Sequence, residues 1–289
     1  MSSVNTQLPE KQFIVVDQEV VCYYEQGRGD VVLLLHGWPQ TSYVWRAILP
    51  ELSKKYRVIA IDLPGLGDSQ ATTKHDTRHI AAVINKCLTN LKISQLHLVG
   101  HDVGAWVATA YAFQYEHTLQ SLTVIDAGIP GLISPAVFQP DNAGKVWQFY
   151  FHAIDDIPEW LLEGKERAYL SWYFTNKSFV KGAITTEDLD VYYQYYKGKE
   201  KLKSGFGYYR AFPESAKQNQ SVASRLNIPI LAVGGEHALG TQVGKAFEKL
   251  SSTVRTVSIK DCGHYVPEEQ PDELTRLLYE FFAETNVPS

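Results

Sequence analysis

Five residues constrain this chain more than any others: Gly100-His101-Asp102-Val103-Gly104. Ahead of them Leu96-His97-Leu98-Val99 reads as a short buried strand, and behind them the run from Ala105 to Phe113 reads as a helix rich in small residues. A sharp strand-to-helix turn with glycine two places either side of a potential nucleophile is a nucleophile elbow. Its central residue is held in a strained conformation, and side chains at 100 and 104 would strike the neighbouring strand and helix. The strain lifts Asp102 out of the sheet, where the N–H groups opening the helix favour negative charge. A carboxylate is a poor nucleophile towards esters, but it can displace a leaving group at saturated carbon and become an alkyl ester. The elbow therefore points to epoxide opening or carbon–halogen cleavage. An aspartate serving only as a helix cap is the plainer alternative.

The flanking sequence supplies a sheet for this turn. Phe13 to Val16 and Glu19 to Glu25 read as two strands joined by a tight turn at Asp17-Gln18. Val31 to Leu35 is an uninterrupted apolar run, as a strand buried on both faces of a parallel sheet requires, and Arg57 to Ile61 reads as the next buried strand. Val44 to Leu52 reads as helical, and Asp76 to Leu91 carries apolar residues at helical period. After Leu122 to Asp126 the pattern breaks. From about residue 129 to 227 helix-like stretches replace strands: Lys145 to Ile154, Pro158 to Phe174, Glu187 to Tyr196 and Tyr208 to Gln218. Alternation resumes with Pro229 to Val233, Thr253 to Ile259 and a last helix over Asp272 to Phe282. This predicts an α/β fold with a mostly parallel eight-stranded sheet. Residues 1–128 and 228–289 form the core, and a helical cap, 129–227, is inserted after the sixth strand.

Composition excludes several classes. A formal charge of −5 without a basic run argues against nucleic acid as a partner. The polar start from Met1 to Lys11 and the lack of a long apolar stretch argue against a signal peptide or a membrane span. Three cysteines without metal-type spacing fit free thiols in a reducing cytoplasm. Neither metal nor organic cofactor is implied.

Catalytic groups of an open parallel sheet belong at the carboxyl ends of its strands. His36-Gly37-Trp38-Pro39, Asp102, Asp126 and His264 all fall there. Nucleophile, acid, histidine is the chain order of an α/β-hydrolase triad. His264 is the candidate base that activates water against an ester on Asp102. Asp126 is the candidate acid that fixes its tautomer, with Glu236 as rival. Backbone N–H groups of Trp38 and Val103 are the candidate oxyanion hole. Trp106 reads as a core aromatic, and Gly65 to Ser69 as a structural turn.

Together His36-Gly37-Trp38-Pro39, Gly65-x-Gly67-x-Ser69, Gly100-x-Asp102-x-Gly104 and Cys262-Gly263-His264 resemble the epoxide hydrolases and dehalogenases of the α/β-hydrolase fold. Val146-Trp147, Ala153 to Asp156, Gly164 to Arg167, Tyr208 to Ala211 and Cys262 to Glu269 resemble the bacterial Cif-type epoxide hydrolases in particular. That resemblance implies a cap His–Tyr pair that hydrogen-bonds the epoxide oxygen. Tyr209 matches the tyrosine, but Gln148 stands at the histidine position, leaving ring opening to Tyr209 with His152 as a candidate substitute. His36 and Tyr208 complete the expected substrate pocket. The arginine pair of fluoroacetate dehalogenases is replaced by Val103 and Trp106. The halide-binding tryptophan and asparagine of haloalkane dehalogenases are replaced by Val103 and Trp38. Epoxide hydrolysis is thus the first reading, dehalogenation the second, and a non-catalytic ligand binder the third. The expected partners are a small apolar epoxide or organohalide and water, with a homodimer left open.

Overall fold

The computed structural model describes residues 8–222 and 225–285; most of the polar start lies outside them. Eight strands form one sheet: β1 (Gln12–Val16), β2 (Glu19–Gly27), β3 (Val31–Leu35), β4 (Arg57–Ile61), β5 (Leu96–His101), β6 (Leu119–Ile125), β7 (Ile230–Gly235) and β8 (Val254–Ile259). Their spatial order is β1-β2-β4-β3-β5-β6-β7-β8. β2 runs antiparallel to β1 and β4, and every other pair is parallel. The expected hairpin at Asp17-Gln18 is present, both residues taking positive φ.

Alternate residues of β3 explain its unbroken apolar run. Leu33 and Leu35 join the cluster containing α2 (Thr77–Asn90) and α3 (Val103–Tyr115). Val32 and Leu34 point the other way, towards α1 (Leu49–Leu52) and the C-terminal helix Pro271–Thr285. Chain order reverses direction beside β3: the chain steps outward to β4, then returns across β3 to β5. The loops leaving β3 and β5 therefore diverge, opening the crevice where ligands bind in such sheets.

Between β6 and β7 the described residues form six α-helices: α4 (Ala143–Ala153), α5 (Ile157–Leu162), α6 (Glu166–Lys177), α7 (Thr186–Tyr196), α8 (Lys199–Arg210) and α9 (Phe212–Gln220). Short α10 (Gln242–Lys245) and α11 (Val266–Glu269) precede the final α12 (Pro271–Thr285). Two expectations change here. The stretch Pro158 to Phe174 is broken at Gly164, whose φ is positive, so it forms α5 and α6. Tyr208 does not begin a helix; it sits in the last turn of α8, and α9 follows with proline in its first turn. Among the described residues no helix is long and apolar enough to cross a membrane.

Candidate active site

The elbow takes the strained form its glycines allow. Asp102 has φ 51° and ψ −120°. A Cβ on Gly100 would lie 2.4 Å from the Gly104 carbonyl oxygen, and one on Gly104 would lie 2.3 Å from that of Leu35. The turn can therefore pack only with glycine at both places. Asp102 Oδ1 accepts the Trp38 N–H at 2.9 Å. Burial pushes the Asp102 pKa up, but hydrogen bonding and charge from His264, the His101 ring and the Val103 N–H outweigh it and hold the carboxyl below its ordinary value.

His264 sits between two carboxylates. Its Nδ1 donates to Asp126 Oδ2 at 2.7 Å, and its Nε2 lies 3.5 Å from Asp102 Oδ2. Asp126 is itself fixed, because its Oδ1 accepts the N–H groups of Gly235 and Leu239, each at 3.1 Å. Glu236 is exposed and accepts the Asp261 N–H instead, so geometry separates the two rival acids. Burial alone would lower the His264 pKa, yet the hydrogen bonds and charges of Asp102 and Asp126 carry it up to about 9.

Three further contacts hold the loop carrying this histidine. The buried His101 Nε2 donates to the His264 carbonyl at 2.9 Å. The His264 N–H donates to the Lys177 carbonyl, also at 2.9 Å. The Glu269 carboxylate accepts four backbone N–H groups: Phe179 and Val180 from the helical insertion, Gly263 and Tyr265 from the histidine loop. One side chain thus ties insertion and loop together.

Asp102, Asp126 and His264 open into a cavity of about 720 Å³, within the range of small-molecule sites. Tyr209 from α8 lines it, its ring edge-on to Trp38, Trp106, Phe149 and His152. Burial and the charge of Asp102 raise the Tyr209 pKa well above 10, so its hydroxyl keeps its proton. Gln148 from α4 also lines the cavity. In the orientation that satisfies both ends of its amide, Nε2 donates to the Lys145 carbonyl and Oε1 accepts from Lys177 Nζ, each at 3.2 Å.

Three expected pocket residues lie behind the wall. His36 accepts the Leu63 N–H at Nε2 and donates from Nδ1 to the Gly37 carbonyl, each at 3.0 Å, so its ring braces the Trp38 loop. His152 is fully buried, stacked on Phe206, edge-on to Trp38 and hydrogen-bonded to Tyr169. Burial lowers its pKa well below the ordinary value, which leaves it neither charged nor placed to stand in for the histidine that the resemblance implies at Gln148. Tyr208 donates to the Pro64 carbonyl at 2.7 Å, because neighbouring helix positions face about 100° apart. Conversely, the sequence reading missed Tyr173, Lys177 and Tyr265, and took Trp106 for core alone; all four line the cavity. Only Tyr265, beside His264, carried a local signal.

Among the described residues two groups could bring three metal-ligating atoms together. In one, Asp62 is occupied by Ser42 and Asp68, and burial first, then the Asp62 charge, raises the Cys22 thiol to about 12. The other, Glu236-His237-Asp261, is exposed. Neither has the character of a built metal site.

The profile of the alpha/beta hydrolase fold matches residues 30–271. The soluble epoxide hydrolase of Corynebacterium sp. strain C12 is 31% identical over 269 residues, covering 90% of this chain and 93% of that protein. The crystal structure of wild-type Cfl2 from Burkholderia cenocepacia aligns with a TM-score of 0.92 at 36% identity, covering 97% of this chain and 98% of that one. The epoxide hydrolase CorEH without ligand aligns with a TM-score of 0.90 at 29% identity, covering 95% and 99%.

Proposed function

Since this chain belongs to the α/β-hydrolase fold family, we propose that it opens an epoxide to a vicinal diol through an ester formed on Asp102. The observation that carries this reading is the division of labour between the Asp102 oxygens. Oδ1 is held by the Trp38 N–H, while Oδ2 faces His264, and the carboxylate lines an aromatic cavity that also holds Tyr209. The core, 1–128 and 228–289, supplies nucleophile, acid and base; the insertion, 129–227, serves as the cap that supplies the ring-opening tyrosine.

At neutral pH the resting site holds carboxylate Asp102 and imidazolium His264. Oδ2 attacks one ring carbon, its bond to the ring oxygen breaks, and Tyr209 gives that oxygen its proton. Oδ1 becomes the ester carbonyl, still against Trp38. The new ester is neutral, so His264 loses one of the two charges holding its proton and releases it, which through solvent restores Tyr209. Neutral His264 next takes a proton from water as the water oxygen attacks the ester carbonyl carbon. The N–H groups of Trp38 and Val103 bear the resulting oxyanion. Collapse breaks the bond between that carbon and the alkyl oxygen, and the added hydroxyl's proton leaves with the diol. Asp102 carboxylate and His264 imidazolium are regenerated, closing the cycle with one epoxide and one water consumed.

The test uses His264→Gln, which permits attack but stops ester hydrolysis. Intact-protein mass spectrometry should then find a gain equal to the whole epoxide, localised to the peptide containing Asp102. A matched organohalide would instead leave an adduct lighter by the hydrogen halide. An adduct only from the halide would replace this reading with a dehalogenase, and none from either would point to another substrate class or another mechanism.

A further inference from the structure

We propose that Lys177, positioned by Gln148, forms an anion-binding subsite in the cavity, and that the preferred epoxides carry a carboxylate on the chain bearing the ring. The proposal rests on the cavity being the epoxide site and adds the substrate class.

Lys177 is the last residue of α6, and its carbonyl is fixed by the His264 N–H at 2.9 Å. The cation is thus set in register with the base by one backbone hydrogen bond. Its side chain lines the cavity, with Nζ 5.6 Å from the centre of the Tyr173 ring and 3.2 Å from Gln148 Oε1. An ammonium has three donors, and Gln148 accepts one. Among the described residues no carboxylate forms an ion pair with Lys177. The two acids of the cavity are committed elsewhere: Asp126 to His264, Gly235 and Leu239, and Asp102 to Trp38 and His264.

Nearby Lys181 shows what a structural lysine looks like here. Its Nζ donates to the carbonyls of Thr175 and Ser178, at 2.7 and 2.8 Å. Lys177 has no such carbonyl partners and turns into the substrate cavity. Burial pulls its pKa below the ordinary 10.5, while the charges of Asp102 and Asp126 act the other way. Exposed Lys145 adds a second cation to the lining. With His264 protonated, the charged lining is net positive.

Substrate entry gives this arrangement its selectivity. A neutral chain filling the cavity would strip water from a half-buried ammonium and leave donors unpaired. A carboxylate would replace that water with charge-assisted hydrogen bonds. The Gln148 carbonyl aims Nζ, and at 720 Å³ the cavity has room for an acid group beyond the reacting ring.

Two measurements test this on the full chain, with Lys177→Met and the charge-preserving Lys177→Arg. Titration calorimetry would compare hexanoate with its neutral near-isostere hexanamide. Wild type should bind hexanoate at least about tenfold more tightly, the low side of a charged hydrogen bond's worth. Lys177→Met should bring the ratio near one, and Lys177→Arg should retain most of it. Steady-state kinetics would compare an ω-epoxyalkanoate with its primary amide, and the same ratio should appear in kcat/KM, carried by KM. A wild-type binding ratio near one, or a ratio that Lys177→Met leaves in place, would overturn the subsite. Failure of both epoxides to give diol would sink the epoxide reading instead, with the hexanoate ratio still deciding the subsite. Should Lys177→Met not fold, the wild-type ratio and Lys177→Arg carry the decision.

Discussion

The position of His264 between two carboxylates makes its protonation the quantity to measure. In Asp102→Asn the charge 3.5 Å from Nε2 is removed while shape is nearly kept, which mimics the neutral alkyl ester. Coulomb's law at that distance and an effective dielectric of about 20 gives about 5 kcal/mol. At about 1.4 kcal/mol per pK unit this is roughly 3 units as an upper limit, since the mutation also relaxes desolvation. The His264 pKa, about 9 in the intact site, should fall by about 1.5 to 3 units, into the range where a general base works best at neutral pH. Histidine NMR titration of both proteins measures this directly. Stability gives an independent reading. The folded-state pKa is raised above the unfolded value of about 6.5. The stabilisation is therefore complete below that pH and lost as pH rises through about 9. It amounts to about 3 kcal/mol, or roughly 5–8 °C in Tm for a chain of this size. Wild type should lose that increment between those pH values, and Asp102→Asn should lose much less. Buried Glu268, whose carboxyl is raised to about 7 chiefly by burial, is common to both proteins and cancels in the comparison. A His264 pKa equal in the two proteins within about half a unit would refute the clamp, and with it the idea that alkylation releases the base.

The other expectations address the helical insertion and its attachment. Tyr209→Phe should slow formation of the alkyl-enzyme at least about tenfold while changing ester hydrolysis little; stopped-flow tryptophan fluorescence would resolve the steps, and an unchanged first phase would assign ring opening elsewhere. Glu269→Ala removes the acceptor of four backbone N–H groups that join insertion and histidine loop. Urea unfolding should show at least about 3 kcal/mol of lost stability, with turnover falling as the His264 loop loosens; a loss under about 1 kcal/mol would mean water replaces the carboxylate without penalty.

The core was legible because each of its signals is local. Short, mainly apolar runs of four or five residues specify strands buried on both faces, and β3 to β6 appear where those runs lie. The elbow needs only two glycines and a strand–helix junction. Asp126 and His264 could be named because they end or follow strands, and parallel pairing brings strand ends to one edge. Chain order alone left Asp126 and Glu236 as rivals, since both lie between Asp102 and His264, and the 2.7 Å contact separates them.

The insertion was less legible because its residues reach the cavity through helix phase and helix packing, which no short motif carries. Tyr208 and Tyr209 sit together in the sequence, yet a turn of about 100° sends one hydroxyl to the Pro64 carbonyl and sets the other residue in the cavity wall. Gln148 and His152 share a face of α4, but one helical turn, about 5.4 Å, carries His152 under Trp38 and Phe206. The first turns of α8 were missed for a related reason. Gly205 and Gly207 look like helix breakers, but a Cβ at either would lie 2.6 Å from the Trp38 indole or the His75 ring. Gly205 lets α8 lie against the Trp38 loop and Gly207 lets it lie against His75, so the helix pays in propensity for the approach that places Tyr209. A residue like Lys177, at the end of a helix whose start depends on a turn at Gly164, enters the site only after every such approach has been made.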